Sequence, residues 1–186
     1  MLTTLANIST NKHIRALEQI LASKGSTVHW LVIAHDDPPM IRSLTAALPR
    51  DSAALLRVSQ DAWDLDGGSL PEAIEWALHE TAIENLVLVG HSCADGSNRL
   101  SPSEIGRDAS PGSYGRLAGG VRRHNEQVWE TQQRFAAQMR QLAEIPVVHS
   151  RRSHGELTVY GLYYRSENDV FLTYDVEHGT CRPLVG

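Results

Sequence analysis

The chain has 186 residues, 41% of them hydrophobic and 21% charged, an ordinary balance for one soluble globular domain with a real hydrophobic core. A net charge of -5 gives no electrostatic footing for nucleic acid or an anionic membrane surface. No apolar run approaches the ~20 residues that span a bilayer, and the start Met1-Leu2-Thr3-Thr4 lacks the basic residues of a signal peptide. Two cysteines, Cys93 and Cys181, are too few for a disulfide framework. The expectation is a single domain over residues 1–186, placed in a reducing cytoplasm.

In chain order, Ile14, Leu17, Ile20 and Leu21 fall at helical spacing and predict an amphipathic helix over residues 11–23, stopped by Lys24-Gly25-Ser26. Residues 28–34 read as a buried strand closed by the polar turn His35-Asp36-Asp37-Pro38-Pro39. A helix over residues 40–48 and a second strand over 53–58 follow, then a polar, Asp-rich loop to Gly68. Ser69 as N-cap, Pro71 in the first turn and Glu72 at the capping-box position open a helix striped by Ile74, Ala77, Leu78 and Ala82. It leads into a strand at residues 85–89. This alternation predicts an α/β fold, a mostly parallel β-sheet flanked by helices.

Residues 94–120 are dominated by Gly, Ser, Pro, Asp and Arg and read as a long loop, either functional or partly disordered. A long helix over about 122–143 and a short strand at Pro146-Val147-Val148 come next. Two alternating runs, 157–164 and 170–174, flank Ser166-Glu167-Asn168-Asp169 and predict a C-terminal β-hairpin. The basic residues Arg122, Arg123, Arg151 and Arg152 read as a solvated face.

Chemistry concentrates where the strand Leu86-Val87-Leu88-Val89-Gly90 delivers His91 and Cys93 onto a small polar loop. A parallel strand presents reactive side chains at its carboxyl end in this way, and imidazole and thiolate are both good zinc ligands. A rival reading takes Gly90-His91-Ser92-Cys93-Ala94 as a nucleophile elbow, with Ser92 attacking and Asp169 or Asp175 followed by His178 completing a serine-hydrolase triad. Against it, residues 95–102 make a poor helix start after the elbow.

From about Val28 to Tyr174 the ordered set of elements resembles the β-class carbonic anhydrases. That family opens with a strand ending in Cys-x-Asp-x-Arg. Here His35 stands at the cysteine, Asp37 at the aspartate and Pro39 where arginine is expected. Leu55-Leu56-Arg57-Val58-Ser59 looks like the remnant of the next motif, and Ser69-Leu70 like the start of the following helix. Gly90-His91-Ser92-Cys93 is similar to Gly-His-x-x-Cys but one residue shorter. The resemblance implies a zinc site with His35, His91 and Cys93 as ligands and Asp37 as the catalytic carboxylate, either a fourth ligand or an acceptor for bound water. It implies zinc-activated water hydrating carbon dioxide to bicarbonate. Arg57 and Ser59 are expected beside that site, and the N-terminal helix is expected to pack across a homodimer interface. Pro39 lacks the donor that would hold the aspartate off the metal. A non-catalytic scaffold or binding protein that kept the fold is therefore the alternative.

Overall fold

In the computed structural model, residues 11–24, 28–59, 68–92, 113–176 and 178–184 are described, with residues 113–127 as backbone only. Runs rich in Val, Leu and Ile form β1 (Trp30–His35), β2 (Ala53–Val58) and β3 (Asn85–His91). In β1 and β3 every residue between the ends is buried, as expected of strands covered on both faces. The C-terminal part adds β4 (Thr158–Arg165), β5 (Val170–Asp175) and β6 (Thr180–Pro183). All six form one sheet in the order β2-β1-β3-β4-β5-β6. The first four are mutually parallel, and β5 and β6 each pair antiparallel with the strand before. The predicted hairpin is present as β4–β5, and β6 extends it.

The helices are α1 (Lys12–Lys24), α2 (Pro38–Ala47), α3 (Ser69–Glu80), α4 (Ser113–Glu144) and α5 (Pro146–Ser153). Strand residues alternate between faces, so Leu31, Ile33, Leu86 and Leu88 meet α1, α3, α4 and α5 through Leu17, Ile74, Phe135 and Val148 in the main core. Val32, Ala34, Val87 and Val89 face the other way, onto Met40 and Leu44 of α2. Among the described residues, a sheet of six strands thus has four helices on one face and a single helix of 10 residues on the other.

Three sequence expectations need correction. Residues 146–148 begin helix α5 rather than forming a strand, because Pro146 occupies its first turn, where a missing N–H is harmless. Arg151 then donates from one terminal nitrogen to the Leu78 carbonyl at 2.8 Å and from the other to the Ile83 carbonyl at 2.7 Å, seating α5 against the end of α3. Helix α4 starts at Ser113, so residues 113–120 of the expected loop are helical, while residues 93–112 lie outside the described set. Gly68, not Ser69, is the N-cap of α3. Ser69 turns instead toward α1, with Oγ 3.0 Å from Nδ1 of His13. The Asn11 side-chain amide donates to the Ser69 carbonyl at 2.6 Å and to the Glu72 carboxylate at 2.8 Å. The residues that looked like a capping box therefore weld α1 onto α3.

Candidate functional site

β1 and β3 are neighbouring parallel strands paired through Ala34 and Val89, so His35 and His91 both fall at carboxyl ends in the middle of the sheet. Their ring centroids are 4.6 Å apart, with the planes inclined by 36°. Both ring nitrogens of His35 and Nδ1 of His91 are shielded from solvent, and that Nδ1 has no hydrogen-bond partner among the described residues. The pKa of His91 is lowered to about 4, by burial first and by the nearby His35 second, with Asp37 opposing both. His35 is also pushed down by burial, against the raising effect of Asp37 and Asp36. Both imidazoles are therefore neutral at neutral pH, the form in which imidazole binds a metal.

The surroundings hold His91 closely. Phe135 of α4 lies directly on Gly90, where an added Cβ would stand 2.4 Å from Cδ2 of that ring. On the other side His91 is in register with Tyr164, and the Ser92 amide extends the pairing by donating to the Tyr164 carbonyl at 2.9 Å.

Asp37 follows β1 and caps α2, its Oδ1 accepting from the Met40 amide at 2.9 Å, while Pro38 and Pro39 occupy the first turn. Its charge reaches both histidines. Arg57, expected near the site, pairs with Asp36 at 3.7 Å rather than with Asp37, and both side chains are more than half exposed. Ser59 is exposed just past the end of β2. Cys93 lies outside the described residues. Among the described residues no group of three or more His, Cys, Asp or Glu side chains is arranged to hold a metal.

The histidine pair fits a zinc ion in its spacing and chemistry. Two imidazoles bonded through nitrogen at ~2.1 Å to one tetrahedral ion place their ring centroids about 5 Å apart, close to the 4.6 Å found here. The shielded Nδ1 of His91 supplies a donor atom with no other use among the described residues.

The serine-hydrolase triad is not assembled. Ser92 is buried, its Oγ 3.0 Å from the Ser166 hydroxyl and accepting from the Ser166 amide at 3.1 Å. Asp175 and His178 do pair, at 2.9 Å, and Arg182 joins them at 3.1 Å. But β5 runs back from the site, with Tyr174 opposite Gly161, which puts Asp175 about 16 Å along the strand direction from Ser92. Asp169 is held by Tyr164. The sequence reading missed Tyr164 as a neighbour of His91 because only the β3–β4 register brings them together.

These features define an α/β protein with an imidazole pair at the carboxyl ends of adjacent parallel strands. Solved structures share the whole architecture. The β-carbonic anhydrase CcaA superposes with a TM-score of 0.59 at 20% identity, over 91% of this chain and 89% of that one. The tetrameric β-carbonic anhydrases of Sordaria macrospora give 0.53 at 17%, over 92% and 87%. The β-carbonic anhydrase CafA of Aspergillus fumigatus gives 0.54 at 15%, over 89% and 86%. The chain has a β-carbonic-anhydrase-like fold, at low sequence identity to these structures. No protein-family model and no curated protein matches it.

Proposed function

We propose that this is a divergent, zinc-dependent carbonic-anhydrase-like protein that interconverts carbon dioxide and bicarbonate. The observation that carries the reading is the close pair of neutral imidazoles, His35 and His91, at the position in the fold where the sequence resemblance expects two ligands. Cys93 is the third ligand in this reading and Asp37 the catalytic carboxylate. Zinc bound there would supply Lewis acidity, bringing the pKa of a bound water to ~7. The chain's own part is to keep both imidazoles deprotonated and dry and to hold Asp37 beside them. Because Asp37 already accepts from Met40, one oxygen is fixed by α2 and the other is left to meet water or metal.

A soluble homodimer of the cytoplasm is part of the same proposal. No helix among the described residues is long and apolar enough to cross a membrane. The lightly covered sheet face carries Trp30 stacked on Tyr160 at 5.7 Å, with Tyr160 39% exposed, a surface suited to a second copy.

The alternative, a scaffold without chemistry, is favoured by one observation: proline stands in the first turn of α2 where the resemblance expects arginine. Metal content decides between them. Protein purified without chelator is expected to carry stoichiometric zinc, lost in Cys93→Ser and in His91→Ala, and to hydrate carbon dioxide in a stopped-flow assay. A folded wild-type protein with no zinc sinks the metal reading. Stoichiometric zinc without hydration leaves a metal site and removes the enzyme.

A further inference from the structure

Asp169 closes the turn between β4 and β5 with φ of 54°, in the left-handed region that a non-glycine residue enters at a cost. What this backbone delivers is a carboxylate shared by two elements. Its Oδ1 accepts from the Tyr164 hydroxyl at 2.8 Å and from the Ser43 hydroxyl at 3.1 Å. Tyr164 is 1% exposed and is the cross-strand neighbour of His91. Ser43 lies on α2, the helix capped by Asp37 two residues after His35. One oxygen thus ties the strand beside one histidine to the helix that follows the other. The Ser43 bond is exposed, where a hydrogen bond adds little net stability. Its effect is on where α2 sits, since α2 is the one helix on its face of the sheet among the described residues.

We propose that Asp169 is a positioning residue for the histidine pair: by clamping α2 to the β4–β5 turn it fixes Asp37 and His35 against His91. The consequence for metal binding rests on the zinc reading above, but the clamp itself is a property of the metal-free protein and is tested there. Tyr164 serves as its fixed end, packed against Phe171 at a centroid distance of 4.9 Å.

Three variants separate the parts. Ser43→Ala cuts the bond to α2 alone. Asp169→Gly removes the carboxylate and relaxes the left-handed backbone. Asp169→Asn keeps an acceptor oxygen and a residue that tolerates that conformation. The readout is cross-relaxation between the ring protons of His35 and His91 in metal-free protein, followed by zinc affinity and the absorption spectrum of the cobalt(II) form. The cross-relaxation is expected to weaken in Ser43→Ala and Asp169→Gly and to persist in Asp169→Asn, while thermal unfolding stays cooperative. Zinc affinity is expected to fall about tenfold in the first two, the effect usual for groups that orient ligands, with an altered cobalt spectrum. Should Asp169→Gly fail to fold, Ser43→Ala decides. Unchanged cross-relaxation in Ser43→Ala overturns the clamp whatever the metal does. Weakened cross-relaxation in the variants of a protein that never binds zinc supports the clamp and fells the zinc reading alone.

Discussion

A methyl group at position 90 would stand 2.4 Å from Cδ2 and 2.8 Å from Cγ of Phe135, well inside van der Waals contact. The glycine before His91 is therefore a packing requirement: α4 reaches the sheet here, and the aromatic ring that touches Gly90 also meets Tyr163 and Tyr174. We expect Gly90→Ala to lower stability by about 1–3 kcal/mol, the range for overfilling a packed core. Adding Phe135→Leu should recover part of that loss, because the displaced atoms belong to the ring. Chemical denaturation of the two variants checks this, and an unchanged midpoint in Gly90→Ala would show that α4 yields freely. At this scale the sequence is half legible. The β-α-β alternation places His35 and His91 at strand ends, but alternation does not say that β1 and β3 are neighbours, and their meeting is expected only from the family resemblance. The partner of Gly90 cannot be read at all, since nothing local links a glycine on β3 to a phenylalanine on a helix that begins after residue 112.

Elements are legible where a single face is buried and ambiguous where short apolar runs fit two periods. Pro146-Val147-Val148 suits either a strand or a helix start; Pro146 in the first turn opens the helix, and Val148 is then buried in the main core. The joint between α1 and α3 misleads for a different reason. Ser69 and Glu72 have the spacing of a capping box, but Asn11 and His13 arrive from another element and take both side chains. His13 is 4% exposed. Its pKa is lowered first by burial and then by the charge of Lys12, against a hydrogen bond with the Ser69 backbone. An unfolded chain protonates this imidazole near its ordinary value of ~6.5, whereas the folded chain does so only at lower pH. Between those values the unfolded state holds more protons, so stability falls as pH drops below about 6.5 and levels off once the folded group titrates. In His13→Gln that share of the slope should vanish. His35 and His91 add to the slope in metal-free protein but remain in the variant, so the difference isolates His13. Urea midpoints measured across the window for both proteins provide the check, and parallel curves would remove His13 from the account.

For the whole molecule, the parallel sheet with flanking helices is legible, but its uneven layering is not. A strand buried on both faces reads the same whether four helices or one helix and another protein cover it. Met40 and Leu44 of α2 cover Val32, Ala34, Val87 and Val89, while Trp30, Leu55, Leu162 and Phe171 at the margin of that cluster remain only partly buried. Trp30 and Tyr160 stack on each other there, and Tyr160 is 39% exposed. Aromatic pairs at a partly exposed margin are the anchors that protein interfaces use. If a second copy covers them, Tyr160→Arg places a charge against the partner's apolar surface, and a buried unpaired charge is strongly destabilising to association. The same arginine in an isolated chain extends into water with little effect on the fold. Sedimentation at micromolar concentration is therefore expected to show a dimer for the wild-type protein and a folded monomer for Tyr160→Arg. Trp30→Ala should lie between them, because it removes apolar surface without adding charge. A wild-type protein that sediments as a monomer would leave this face to some other occupant, and a dimer unmoved by Tyr160→Arg would place the interface elsewhere on the chain.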